Sequence, residues 1–92
     1  PISSAQALQY GLVNYVDDDV DAKLAWLLAR MLDKSPAAIR RGMYTLKRAE
    51  SMAFEEAMSF TESQIALFTL TDDAREGQKA FQEKRKPQWT GK

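Results

Sequence analysis

The 92-residue chain contains no cysteine and no histidine. Without cysteine it can form neither a disulfide framework nor a thiolate metal site, and its cysteine content gives no indication of the redox compartment. Without histidine it lacks the commonest general base and metal ligand, which argues against a self-contained hydrolase or metalloenzyme. Its serine and threonine side chains therefore have no histidine partner, and we interpret them as helix caps.

Glycine and proline are also scarce, with four and three residues, while 45% of the chain is apolar and 28% is charged. This composition is typical of a globular domain and not of a disordered one. No apolar run approaches the roughly 18 residues that span a membrane, so we predict no membrane partner and a cytoplasmic location. One domain of this size buries little more than about 60% of its unfolded surface and is marginally stable unless another surface covers it.

The net charge is zero, but the charges are unevenly distributed. An acidic cluster lies near the start, and the end is basic, with six cations against two anions: Arg75, Lys79, Lys84, Arg85, Lys86 and Lys92 against Glu76 and Glu83. A basic end suits a small phosphate-bearing ligand as well as nucleic acid. Because the basic residues are not interleaved with aromatic ones and the domain is neutral, we expect no nucleic-acid partner.

The sequence predicts an all-α protein, a small bundle of four to five helices with one short extended segment near residues 12–16. Ser3 or Ser4 can cap a first helix that ends at Gly11, a residue suited to the left-handed conformation. Residues 12–16 are apolar and rich in β-branched side chains, but a lone strand has no partner in this chain.

Four further helices follow from the apolar spacing and the capping residues. The second begins at the aspartate cluster and reaches about Lys34, with one apolar face formed by Leu24, Leu27, Leu28, Met31 and Leu32. Ser35 and Pro36 begin the third helix. Ser51 is predicted to cap the fourth. Thr71 is predicted to cap the fifth, which runs to about Lys84 and ends before Pro87.

Two glycines lie inside predicted helices, where each costs about 1 kcal/mol relative to alanine. Gly42 is explained only if another backbone packs against it. Gly77 indicates the close approach of another helix or of a ligand, and we favour packing over ligand binding.

The carboxylates form no recognisable acid–base pair. Glu55 and Glu62 share a helix face, but such residues more often balance nearby cations in solvent. We therefore predict no catalytic residue and no metal ligand in this chain.

Three segments together resemble the C-terminal region of the crotonase superfamily, the enoyl-CoA hydratase/isomerase enzymes. They are residues 5–16, with Gly11-Leu-Val-Asn14 at their centre, residues 32–39 around Ser35-Pro36, and the closing run from Asp73 to Trp89. That run contains Glu76-Gly77, Ala80-Phe81 and Glu83-Lys84-Arg85-Lys86-Pro87. Each segment alone is a weak indication of the family, whereas the order and spacing of the three together are specific for it.

The resemblance implies a C-terminal fragment of a larger enzyme that acts on acyl-CoA thioesters. Residues 1–16 would be the remnant of a spiral core, and residues 17–92 a helical domain that joins subunits into trimers or hexamers and closes the CoA site. The catalytic glutamates of the family have no counterpart here. We therefore expect the parent enzyme to be a lyase or isomerase of fatty-acid metabolism, and the fragment alone to be inactive.

The resemblance also implies ligand-binding residues, with a CoA thioester as the substrate and no tightly bound cofactor. Lys84 matches the family lysine that reaches the 3′-phosphate region of CoA, commonly from a neighbouring subunit. An aromatic side chain that contacts the adenine in some members is replaced here by Ile65, and Phe68, one turn later, is the aromatic that could take its place.

Self-association is expected for an independent reason, since 92 residues cannot cover all the predicted apolar faces. A free-standing helical module that binds a partner helix would also explain those faces, but it would not explain the unpartnered segment at residues 12–16. The particular crotonase-type reaction is left open, because residues outside this chain decide it.

Overall fold

The computed structural model describes residues Pro1–Lys92 and contains five helices and no strand. The helices are α1 (Ser4–Gln9), α2 (Val20–Leu32), α3 (Pro36–Ala49), α4 (Phe54–Phe68) and α5 (Asp72–Gln82). The all-α prediction is confirmed. None of the five helices combines the length and the apolar character that crossing a bilayer requires.

The chain divides into two compact units, Pro1–Met31 and Leu32–Lys92. The predicted boundary after residue 16 refers to the architecture of a parent enzyme and stays a prediction.

The first unit begins with a capping box around α1. The Gln6 N–H donates to Ser3 Oγ at 3.2 Å, and the Ser3 N–H donates to Gln6 Oε1 at 2.9 Å. Two otherwise unpaired amides are thereby satisfied at the start of the helix. Gly11 follows the helix with φ +75°, so the predicted stop at this glycine is confirmed.

Residues 12–16 form no strand and are attached to α2 through side chains. The Tyr15 and Trp26 rings meet edge to face with their centroids 5.8 Å apart. The Lys23 ammonium lies over both rings, 4.9 Å from Tyr15 and 4.3 Å from Trp26. Cation–π and aromatic contacts therefore replace the strand pairing that this segment lacks.

Three further predicted helix starts, besides that of α1, are confirmed by side-chain hydrogen bonds. Asp19 accepts from the Ala22 N–H at 3.0 Å at the beginning of α2. Ser35 accepts from the Ala38 N–H at 3.0 Å in α3, and Thr71 accepts from the Ala74 N–H at 3.1 Å in α5. Each bond joins a cap to the residue three positions later, a relation that sequence spacing alone reveals.

The predicted cap of α4 is wrong. Ala53 occupies the N-cap and makes no side-chain capping bond, while the Ser51 hydroxyl donates to the Arg48 carbonyl at 3.3 Å. The Ser51 hydroxyl therefore binds the last turn of α3 and does not cap α4. Glu55 and Glu56 lie in the first turn of α4, where the helix dipole stabilises negative charge.

In the second unit α3 packs against both α4 and α5. Tyr44 of α3 and Phe60 of α4 approach with ring centroids 6.2 Å apart, and Arg41 donates to Gln64 at 3.0 Å. The buried positions are few, and half of them are polar: Ser35, Ala37, Asp73 and Ala80. The best-shielded part of the chain is thus a small polar centre where α3 begins beside α5.

Large apolar side chains remain exposed on several helices. Phe54 and Phe81 are 79% and 84% exposed, and Leu32 is 79% exposed. Gly42 of α3 also has open space where a side chain would begin, with no atom within 4 Å of an added Cβ. No part of this chain packs against Gly42, so its place in the helix has no explanation within the 92 residues.

Candidate functional site

The Asp73 side chain is the centre of the site and is only 1% exposed. It lies in the first turn of α5, two residues after the cap Thr71. Asp73, Gly77 and Ala80 follow the i, i+4, i+7 spacing of one helix face. Because the other two residues are small, neighbouring chain can approach this face closely.

One carboxylate oxygen of Asp73 holds the beginning of α3. Oδ2 accepts from the Ser35 hydroxyl at 2.6 Å and from the Ala37 N–H at 3.3 Å. The same Ser35 oxygen accepts from Ala38 as the α3 cap. The negative charge therefore lies at the N-terminus of α3, where the free amides and the helix dipole favour it.

The other oxygen of Asp73 holds the end of the chain. Oδ1 accepts from the N–H groups of Thr90 at 2.8 Å and Gly91 at 3.1 Å, and from the Thr90 hydroxyl at 3.3 Å. The Asp73 N–H donates to the Lys92 carbonyl at 2.8 Å. A single residue thus connects α3, α5 and residues 90–92.

Trp89 packs across the glycine of α5. A Cβ added at Gly77 would lie 3.4 Å from the Trp89 ring, and the indole N–H donates to the Asp33 carbonyl at 3.0 Å. The prediction that Gly77 serves packing is confirmed. The approaching group is the C-terminal segment and not another helix.

A second ionic cluster, the Arg85 clamp, joins Glu76, Glu83 and Arg85. The Arg85 guanidinium donates to both Glu76 oxygens, at 2.5 and 3.2 Å, and its Nε donates to Glu83 at 2.5 Å. Glu76 Oε1 also accepts from the Gln88 N–H at 2.8 Å. The paired, charge-assisted geometry fixes the chain on both sides of Lys86 and Pro87.

These contacts stabilise the ionised form of both carboxylates. Burial raises the pKa of Asp73, but the hydrogen bonds from Ser35, Thr90, Ala37 and Gly91 together outweigh it and lower that pKa to about 2. The Arg85 hydrogen bond, followed by the one from Gln88, lowers the pKa of Glu76 to about 2. Glu76 and then Glu83 in turn raise the pKa of Arg85 above its usual value.

The three predicted ligand-binding residues lie at two places. Ile65 and Phe68 line an apolar cavity of about 320 Å³ between α3 and α4. Phe68 also lines a cavity of about 390 Å³ beside Gly77 and Trp89. Lys84 follows the end of α5 and lines neither cavity. Within one chain Lys84 and the Ile65–Phe68 pair are therefore not brought together, and their assignment to CoA stays a prediction.

The sequence analysis did not identify the roles of Asp73, Glu76 and Arg85. Asp72 and Asp73 look alike as acidic residues of a helix start, although only Asp73 shares a face with Gly77 and Ala80. That small-residue face was the available signal that Asp73 is buried. No three acidic side chains converge into a group able to hold a metal ion.

Known proteins are similar to this chain over nearly its whole length. The family model described as enoyl-CoA hydratase/isomerase matches residues 1–92. A probable enoyl-CoA hydratase of Bacillus subtilis (strain 168) is 33% identical over 94 residues, covering 99% of this chain and 36% of the relative. The 2,3-dehydroadipyl-CoA hydratase of Escherichia coli (strain K12) is 31% identical over 93 residues, covering 99% of this chain and 36% of the relative.

A solved structure shows the same likeness in three dimensions. The crystal structure of an enoyl-CoA hydratase of Mycobacterium smegmatis superposes with a TM-score of 0.83 at 29% identity, over 96% of this chain and 35% of that one. The chain thus spans about a third of the length of the proteins it matches.

Acid should destabilise the second unit through its two low-pKa carboxylates. Unperturbed values are 3.8 for Asp73 and 4.5 for Glu76, against about 2 for each in the folded chain. Because the unfolded chain binds these protons more readily, the stabilisation is complete above about pH 5 and is lost as the pH falls toward 2. Urea unfolding followed by circular dichroism across this range measures the effect.

Glu76→Gln should remove the contribution of Glu76 to the pH dependence of the unfolding free energy. The contribution of Asp73 should remain. An unfolding free energy that stays constant from pH 5 to about pH 2 would contradict the assignment.

Proposed function

Since the chain belongs to the enoyl-CoA hydratase/isomerase family, we propose that it is the C-terminal helical part of an enzyme that acts on acyl-CoA thioesters. Within that enzyme it joins subunits and contributes to the CoA site. The reaction is hydration or isomerisation of an enoyl-CoA, and the groups that carry it out lie outside these 92 residues. The chain by itself is inactive, because it offers no histidine and the two carboxylates that it does bring together, Glu76 and Glu83, are both paired with Arg85.

The exposed apolar surface is the observation that carries this proposal. Leu32, Phe54 and Phe81 are each more than three-quarters exposed, and only two apolar residues, Ala37 and Ala80, are buried. A monomer with so much uncovered apolar surface pays for it in solubility and stability. Contact with the rest of the enzyme and with neighbouring subunits would bury these side chains.

Lys84 supports the second part of the proposal. It forms no ion pair in this chain and follows the C-terminus of α5, so its ammonium is available to a phosphate. We assign it to the 3′-phosphate of CoA bound by a neighbouring subunit. Ile65 and Phe68, which line the apolar cavity between α3 and α4, are the candidate contacts for the adenine.

Self-association tests the first part of the proposal. The 92-residue chain should form oligomers at high micromolar concentration, as measured by analytical ultracentrifugation. Met58→Glu places a charge on an exposed apolar position of α4 and should weaken association about tenfold, as expected if one Met side chain is buried.

Ser59→Glu adds the same charge to the next position of α4 and is the matched control. Because Ser59 is polar and already exposed, its substitution should leave the oligomer intact. A wild-type chain that stays monomeric at high concentration would favour the alternative, a helical module that binds a different partner.

Binding of CoA tests the second part. In the natural protein at its full length, CoA should bind at least about tenfold more tightly than 3′-dephospho-CoA, since a charge-assisted hydrogen bond contributes roughly 1.5–3 kcal/mol. Lys84→Met should remove most of this preference and leave the affinity for 3′-dephospho-CoA unchanged. Isothermal titration calorimetry measures both affinities.

Lys86→Met removes an equal charge two residues away and serves as the control. Loss of the preference in Lys86→Met but not in Lys84→Met would show that the assignment to Lys84 is wrong.

A further inference from the structure

The residue after α5 has an unusual backbone conformation. Lys84 has φ +54° and is the one residue other than glycine with a positive φ. The Arg85 N–H donates to the Ala80 carbonyl at 3.0 Å, and the Lys84 N–H donates to the Phe81 carbonyl at 3.2 Å. This pair of bonds is the Schellman motif, whose left-handed residue is usually glycine because a Cβ is unfavourable there.

The Arg85 clamp acts on the residue directly after Lys84. Glu76 binds the guanidinium through both oxygens, Glu83 binds its Nε, and Glu76 also accepts from Gln88. Arg85 is therefore fixed against α5 by contacts on two sides. With its neighbour held in place, Lys84 has little freedom to return to an ordinary backbone conformation.

The clamp also divides the three consecutive cations into two kinds. Arg85 directs its charge to Glu76 and Glu83, whereas Lys84 and Lys86 make no ion pair. A lysine in a glycine position lowers stability, and its ammonium makes no ion pair within this chain that would offset the loss. An anionic ligand bound by the Lys84 ammonium would provide the missing contact.

We propose that Glu76 is a positioning residue which, through Arg85, holds Lys84 in its left-handed conformation and directs its ammonium to the 3′-phosphate of CoA. Arg85 itself then makes no contact with the ligand. This inference rests on the proposed function, since it takes Lys84 as the phosphate contact. It adds the role of two residues that the family resemblance did not assign.

The test removes the clamp without changing the net charge. The double variant Glu76→Gln, Arg85→Gln loses one anion and one cation, so it leaves no free arginine that could bind the phosphate instead. The matched control is the double variant Asp72→Asn, Arg75→Gln. It removes another ion pair of α5, in which the nitrogen and oxygen atoms lie 3.1 Å apart, and it also leaves the net charge unchanged. Affinities for CoA and for 3′-dephospho-CoA are measured by calorimetry in the natural protein at its full length.

In the clamp variant the preference for CoA over 3′-dephospho-CoA should fall about fivefold, and the affinity for 3′-dephospho-CoA should not change. The control variant should retain the wild-type preference. Equal weakening of both ligands would mean that the clamp is only structural, and an unchanged preference would mean that Lys84 does not need it. Either result overturns the inference while the proposed function stands. A wild-type protein without any preference would overturn the phosphate contact itself, and the inference with it.

Lys84→Gly provides a second and independent measurement. Glycine adopts the left-handed conformation without strain, so the melting temperature should rise while the preference for CoA is lost. A melting temperature that falls would contradict the claim that the lysine is held there at a cost to stability.

Discussion

The buried carboxylate of Asp73 is the interaction on which the second unit depends. Its two oxygens accept hydrogen bonds from the beginning of α3 and from residues 90 and 91, and its own N–H donates to Lys92. No group of comparable size is as well shielded in this chain. Because apolar burial is so limited, the relation between α3, α5 and the C-terminal residues is determined by polar contacts that require an ionised aspartate.

The Arg85 clamp attaches the same C-terminal segment to α5 at further points. Asp73 fixes the chain at residues 90–92, Trp89 packs over Gly77, and Glu76 binds both Arg85 and the Gln88 N–H. Residues 85–91 are therefore attached to α5 at several successive points. A short basic segment between such attachments can present one lysine in a defined direction, whereas a free C-terminal tail would not.

Sequence reasoning succeeded where the cause of a structure was local and failed where it was not. The caps Ser3, Ser35 and Thr71 and the stop at Gly11 depend on neighbours within a few residues, and the spacing predicted all of them. Asp73 was missed because its partners lie 17, 18, 36 and 38 residues away. Ser51 was wrong because a hydroxyl can serve the helix before it as well as the one after it. Lys84, Ile65 and Phe68 were predicted from the family resemblance, and in the folded chain Lys84 does not line the cavity that Ile65 and Phe68 share.

Amide hydrogen exchange of Thr90 and Gly91 tests the central role of Asp73 most directly. In the wild-type chain near neutral pH, both amides should exchange much more slowly than amides of an unstructured peptide, because the buried carboxylate holds them. Asp73→Asn should abolish this protection, whereas Asp72→Asn, at the exposed neighbour, should preserve it. Exchange of both amides at unstructured rates in the wild-type chain would contradict the account, as would protection that survives Asp73→Asn.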